Sequence, residues 1–224
     1  MPAEKKTKTK KGDPGLKKKV TGIIRLLSTE FPDAKTALKH RNPLEMLIST
    51  ILSAQCTDAK VNEVTTVLFK KYRTPEDYAR ANIRQLQKEI RQTGFFRNKA
   101  KNIKRASAAI IERYDSQVPS TMNEILTLPG VARKTANIVL QNAYGVIEGI
   151  AVDTHVKRLS QRLGLSKNKD PNKIEQDLMQ ITPKKDWARI TDLLIWHGRR
   201  VCKAQRPKCG ECVLVSLCPS AHSF

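Results

Sequence analysis

The chain has 224 residues, 39% of them hydrophobic, which is enough for one large domain or two small ones sharing a core. Its 42 lysines and arginines against 21 acidic residues give a net charge of +21; residues 1–19 carry +6 of this and the remainder keeps +15. No apolar run approaches the roughly 20 residues that span a bilayer, and no export signal opens the chain. A membrane or secreted protein is therefore not expected; an intracellular one with an anionic partner, nucleic acid first, is.

Residues 1–14 hold almost no apolar side chain and are expected to form a disordered basic tail. Leu16, Val20, Ile23, Leu27 and Phe31 then recur at steps of three and four, the face of a helix that Pro32 stops. Asn42-Pro43 is a cap with a first-turn proline, ahead of Leu44, Leu47, Ile48 and Ile51. Thr57 caps a helix carrying Val61, Val64 and Leu68; Thr74-Pro75 and Asn82 start two shorter ones, the second ended by Gly94 in a left-handed cap. Ile103, Ala106 and Ile110 mark another, and Ser120 opens a stretch reaching Leu126. Residues 146–152, VIEGIAV, are extended or a buried connector. After Asp153 the helical pattern returns at Val156, Leu159 and Leu163, with Gly164 as its stop, then after Asp170-Pro171, and last at Trp187, Ile190 and Leu194. Strand alternation is nearly absent, and no repeat of solenoid period is found. An all-α fold of many short helices is expected.

Leu128-Pro129-Gly130-Val131-Ala132-Arg133-Lys134 lies between two apolar-periodic segments. Proline cannot continue the first helix, and Gly130 accepts the positive φ of a tight reversal. A second helix starts near Ala132–Lys134, where free N–H groups and the helix dipole suit a phosphate and Arg133 adds charge. An ordinary helix–helix turn fits the same residues.

Four of the five cysteines crowd into the last 23 residues, as Cys202-x6-Cys209-x2-Cys212-x5-Cys218. Crowding in an intracellular chain reads as metal binding. All-sulfur ligation admits zinc or an iron–sulfur cluster, but zinc ribbons usually present two C-x2-C hooks and this segment has one. Arg199, Arg200, Lys203, Arg206 and Lys208 make the loop basic. Cys56 stands apart among apolar residues and reads as a small core side chain.

The run L-P-G-V-A-R-K-T-A over 128–136, followed by V-D-T-H at 152–155, resembles the helix-hairpin-helix DNA glycosylase superfamily, its endonuclease III branch in particular. The 6-2-5 cysteine spacing is similar to the iron–sulfur loop of that branch and of its adenine-glycosylase relatives. The resemblance spans about residues 17 to 218. It implies a two-lobed all-α fold: a continuous six-helix lobe near 36–146, and a second lobe joining 15–35 to 147–224, with DNA running between them where Lys134 and Asp153 meet. It implies a monomeric bifunctional DNA N-glycosylase and abasic-site lyase acting on damaged pyrimidines in double-stranded DNA, with one [4Fe–4S] cluster on Cys202, Cys209, Cys212 and Cys218. The setting would be the bacterial cytoplasm and nucleoid, or a eukaryotic nucleus.

The resemblance makes Lys134 the nucleophile and Asp153 its assisting carboxylate. Breaking an N-glycosidic bond passes through a cationic sugar that a carboxylate stabilises, and an amine can attack C1′ to leave a Schiff base. Lys134 falls in a first helical turn beside Arg133, where the dipole disfavours a second cation. Asp153 also reads as an N-cap, and capping would hold its carboxylate rigidly. DNA contacts are implied for Gln55, which would fill the vacated stack, for Phe95 as an apolar wedge, and for Gly130, Ala132, Arg133 and Lys134. Core packing is the alternative for Phe95 and Phe96, and His155 and His197 read as structural. Ala132 stands where the family usually has glycine. The rival readings are a monofunctional mismatch or adenine glycosylase, whose adenine-specific members generally lack a lysine here and carry a further C-terminal domain, and a non-catalytic iron–sulfur DNA-binding module.

Overall fold

The computed structural model describes residues 13–223. The expected basic tail lies outside them except for its last two residues, and these are ordered: Asp13 accepts the Gly15 N–H at 2.7 Å and Pro14 opens the first helix. Among the described residues there are eleven α-helices and no strand. They are α1 (Pro14–Glu30), α2 (Pro43–Leu52), α3 (Asp58–Lys71), α4 (Pro75–Arg80), α5 (Ile83–Glu89), α6 (Phe96–Tyr114), α7 (Met122–Ile125), α8 (Arg133–Tyr144), α9 (Thr154–Arg162), α10 (Pro171–Ile181) and α11 (Trp187–Arg200). The fold is all-α, and 146–152 is a connector. No helix among the described residues is long and apolar enough to cross a membrane.

Side-chain caps set most helix starts. Asn42 accepts from the Glu45 N–H at 2.9 Å, Thr57 from Lys60, Asn82 from Arg84 and Gln85, and Asp170 from Lys173 at 3.0 Å. At α4, Thr74 and Asp77 cap each other's backbone reciprocally. Such a cap contributes about 1 kcal/mol. Two boundaries differ from expectation. The cap of α7 is Thr121, one residue after Ser120. The chain after α5 does not close on Gly94: a 3₁₀ turn, Arg91–Thr93, intervenes, Gly94 has φ 70° with an extended ψ of 161°, and the left-handed residue is Phe95.

The chain forms two compact units. The interior unit is Lys35–Ala151, so its C-terminal boundary falls five residues beyond the expected 146, and it holds seven α-helices, α2–α8, rather than six. The extra one, α7, is a single four-residue turn. At its centre α2 is buried from Leu44 to Leu52 and packs on α3, α6 and α8. A helix apolar on all sides must be surrounded. Its one carboxylate, Glu45, meets the Arg41 guanidinium at 2.6 Å and the Arg41 N–H at 2.7 Å. Met46, Leu47, Leu52, Val61, Tyr78, Ile103 and Val139 form the core.

The terminal unit joins the chain up to Ala34 with Val152 onward. Here α1 packs on α10 and α11, and α9 on the same two helices, around Val20, Ile23, Leu27, Val156, Leu159, Ile174, Leu178, Ile190 and Leu194. Each such side chain contributes about 1.5–3 kcal/mol on leaving water. Arg189 of α11 closes the end of α1 by donating to the Phe31, Pro32 and Ala34 carbonyls.

Candidate functional site

In the interior unit the hairpin is built from a buried pair, Leu128 and Val131, with the Val131 N–H donating to the Leu128 carbonyl at 3.1 Å. Between them Gly130 has φ 80°, which L side chains rarely adopt. A Cβ there would also meet the Asn102 side chain of α6 at 2.7 Å. Both constraints make glycine necessary. Ala132 precedes α8 at φ −92°, ψ 169°, an extended conformation open to any residue, and is exposed. The backbone therefore tolerates alanine in place of the family's usual glycine. The N-cap residue of α8, Ala132, has no side chain that can cap it, and the start of a helix suits an anion. Lys134 is exposed in that first turn, next to half-buried Arg133.

The same unit carries Gln55 and Phe95 on two separate turns. Both have left-handed backbones, φ 53° and 47°, and both side chains are exposed, Phe95 at 64%. An exposed phenylalanine in a sterically disfavoured conformation is not a core residue. Phe96, half-buried, packs against the core, with Arg97 over its ring. Cys56 also packs there, partly buried.

In the terminal unit Asp153 is the N-cap of α9, its Oδ1 accepting the Val156 N–H at 2.8 Å. His155 is half-buried, and burial, reinforced by Arg158 and Arg199, pushes its imidazole below the ordinary range against the pull of the Asp153 carboxylate. α9 and α11 approach closely: a Cβ on Gly198 would stand 2.9 Å from His155 Nδ1 and 3.1 Å from the Arg158 guanidinium.

Cys202, Cys209, Cys212 and Cys218 line one pocket, floored by Leu159, Leu163, His197 and Leu214, and none forms a disulfide. Among the described residues no three ligating side chains gather as a single-ion site. All four cysteines border that one pocket. Burial and then the neighbouring sulfurs push the Cys212 thiol up, so four thiolates here call for a cationic centre. The residues fit an iron–sulfur cluster. Sequence reasoning missed how this loop is held. Arg158 donates to the Cys202 carbonyl at 2.9 Å and the Gly198 carbonyl at 2.9 Å. Arg162 reaches Cys202 Sγ at 3.3 Å and the carbonyls of Lys203 and Ala204. Their i, i+4 spacing on α9 was visible, but their partners lie about 40 residues away. His197, expected to be structural, is buried with Nε2 3.5 Å from Cys212 Sγ, and burial pushes its imidazole down to about 4. Of the loop's cations, Lys208 pairs with Glu211 and Arg200 stacks on Trp196, while Lys203 and Arg206 are exposed.

Residues 48–184 match the HhH-GPD superfamily of base excision DNA repair proteins, and 202–218 match the iron–sulfur binding domain of endonuclease III. The chain is 51% identical over 207 residues to endonuclease III of Synechocystis, covering 92% of this chain and 94% of that one. Its fold is similar, at TM-score 0.89 and 46% identity, to an endonuclease III in a non-covalent complex with DNA and to one trapped as a covalent intermediate with DNA; each comparison covers 92% of this chain and 97% of the other.

Proposed function

The chain belongs to the endonuclease III family and is a bifunctional DNA glycosylase and abasic-site lyase for oxidised pyrimidines, and we propose that Lys134 and Asp153 carry its two chemical roles. What supports the lysine is its placement: an exposed amine in the first turn of a helix that Ala132 cannot cap, directly after a turn that only glycine can make. A phosphate gripped by the hairpin N–H groups would bring the sugar of an extruded nucleotide near that amine. Neutral Nζ attacks C1′, the C–N bond forms as the base departs, and the opened sugar remains as a Schiff base. Loss of a C2′ proton then expels the 3′ phosphate by β-elimination. Asp153, fixed by its cap bond, stabilises the positive charge developing on the sugar. Gln55 and Phe95 fill the stack that the extruded base leaves, and Gly130, Ala132, Arg133 and Lys134 hold the backbone. The partner is double-stranded DNA with a damaged base or an abasic site, met by a monomer in the cytoplasm at the nucleoid.

Cys202, Cys209, Cys212 and Cys218 hold one [4Fe–4S] cluster, which supplies covalent cross-links to the loop. Protein purified without oxygen contains about four irons per chain. Cys212→Ser lowers that content sharply, and Cys56→Ser leaves it unchanged. Stoichiometric zinc without iron overturns the assignment.

The function is tested on duplexes carrying one oxidised pyrimidine, one mismatch or one abasic site. Oxidised pyrimidine is released and the strand is nicked on the 3′ side. Release without nicking would make the enzyme monofunctional, and binding with neither would make it a recognition module.

A further inference from the structure

Lys99, in the first turns of α6, is 4% exposed. Its ammonium donates to the Leu52 carbonyl at 2.8 Å and the Thr93 carbonyl at 2.7 Å, residues 47 and 6 positions before it. Its own N–H donates to the Phe95 carbonyl at 3.1 Å. Leu52 is the last residue of α2 and leads into the turn that presents Gln55; Thr93 ends the 3₁₀ turn that leads to Phe95. One amine therefore joins the roots of both turns, and both turns display an exposed side chain on a left-handed backbone.

Burying an ammonium on two carbonyls is an expensive way to fill space, and burial pushes this amine down from its ordinary range. A leucine or methionine would pack the same volume without that cost. The neighbouring Lys104 shows the commoner use of such an amine: it donates to the Ala79 and Ala81 carbonyls, both at the end of α4, and closes one helix. The carbonyls on Lys99 belong to two chain segments far apart in sequence. Both end a helical element, and each stands two or three residues before an exposed side chain held in a disfavoured conformation. Such conformations persist where the surroundings over-determine them.

We propose that Lys99 is a positioning residue for base extrusion, tying the Gln55 turn and the Phe95 turn into one rigid element so that both side chains enter the duplex together. The proposal rests on the reading of Gln55 and Phe95 as stack-filling residues. Two side chains that must occupy neighbouring gaps in a base stack act only at a set spacing, and a flexible pair would lose the order before contact.

The test follows single-turnover base release, with 2-aminopurine beside the lesion reporting unstacking by fluorescence. Lys99→Met keeps the apolar stem and removes the amine. It is expected to slow unstacking and release from a fully paired lesion by about 10- to 100-fold, the loss that a displacement of about 1 Å brings. A lesion in a bulge, already largely unpaired, should be released within about threefold of the parent rate. Equal slowing on both substrates, or on neither, overturns the proposal. Gln55→Ala and Phe95→Ala are run alongside. If they leave unstacking unchanged, the stack-filling reading falls; if they slow it and Lys99→Met does not, only the role of Lys99 falls. Should the methionine variant not fold, Lys99→Gln, which reaches at most one of the two carbonyls, is expected to show the same substrate split at smaller size. If neither variant folds, Lys99 is a core strut and the proposal is overturned.

Discussion

Reduced with borohydride in the presence of an abasic-site duplex, the parent protein yields a covalent protein–DNA adduct, and Lys134→Ala yields none while still binding the duplex. Nicking by that variant is expected to fall by at least about 10³-fold, since removing a nucleophile deletes the step and does not merely weaken it. Lys134→Arg does not rescue it, because a guanidinium stays protonated and has no free pair to give. The fold should survive either change: Lys134 is exposed and α8 takes no cap from it. Adduct at the normal rate in Lys134→Ala would assign the chemistry to another amine.

Asp153→Asn is expected to slow base release by at least about 10²-fold, the lower range for a positioned catalytic group. Asparagine caps a helix as well as aspartate does, so the Val156 bond is kept and stability changes little. Asp153→Ala loses the cap as well, at about 1 kcal/mol. The asparagine variant thus separates the charge from the cap. It should still nick a preformed abasic site, because the amine remains. Release from an oxidised base at the parent rate would leave Asp153 a cap and nothing more.

The starts of α2, α3, α4, α5, α9 and α10 were legible because a capping side chain bonds within three residues of itself, and local chemistry leaves a local signature. Where the deciding contact is distant, the reading failed. Gly94 takes the positive φ expected of it, but its ψ is extended and the αL conformation falls on Phe95; the Lys99 bonds to Leu52 and Thr93 organise that turn, and no neighbouring residue announces them. Nothing local to Arg158 and Arg162 announces that they secure a loop about 40 residues on. The four cysteines were readable from spacing alone, and the structure sets them around one pocket. Lys134 and Asp153 could be named only through the resemblance, for a lone lysine in a first turn and a capping aspartate are everyday features.

The division of the chain bears on how it is made. Lys35–Ala151 is contiguous, so it can complete its core while the rest is still being synthesised. α1 is made earlier but packs chiefly on α10 and α11, which end at Arg200. At roughly 5–20 residues per second, the apolar face formed by Val20, Ile23 and Leu27 waits on the order of ten seconds or more for its cover. The lysines crowded before and into that helix keep it strongly cationic meanwhile. Like charge on every nascent copy opposes their meeting, so a stretch of chain that waits long for its cover carries its own protection against aggregation.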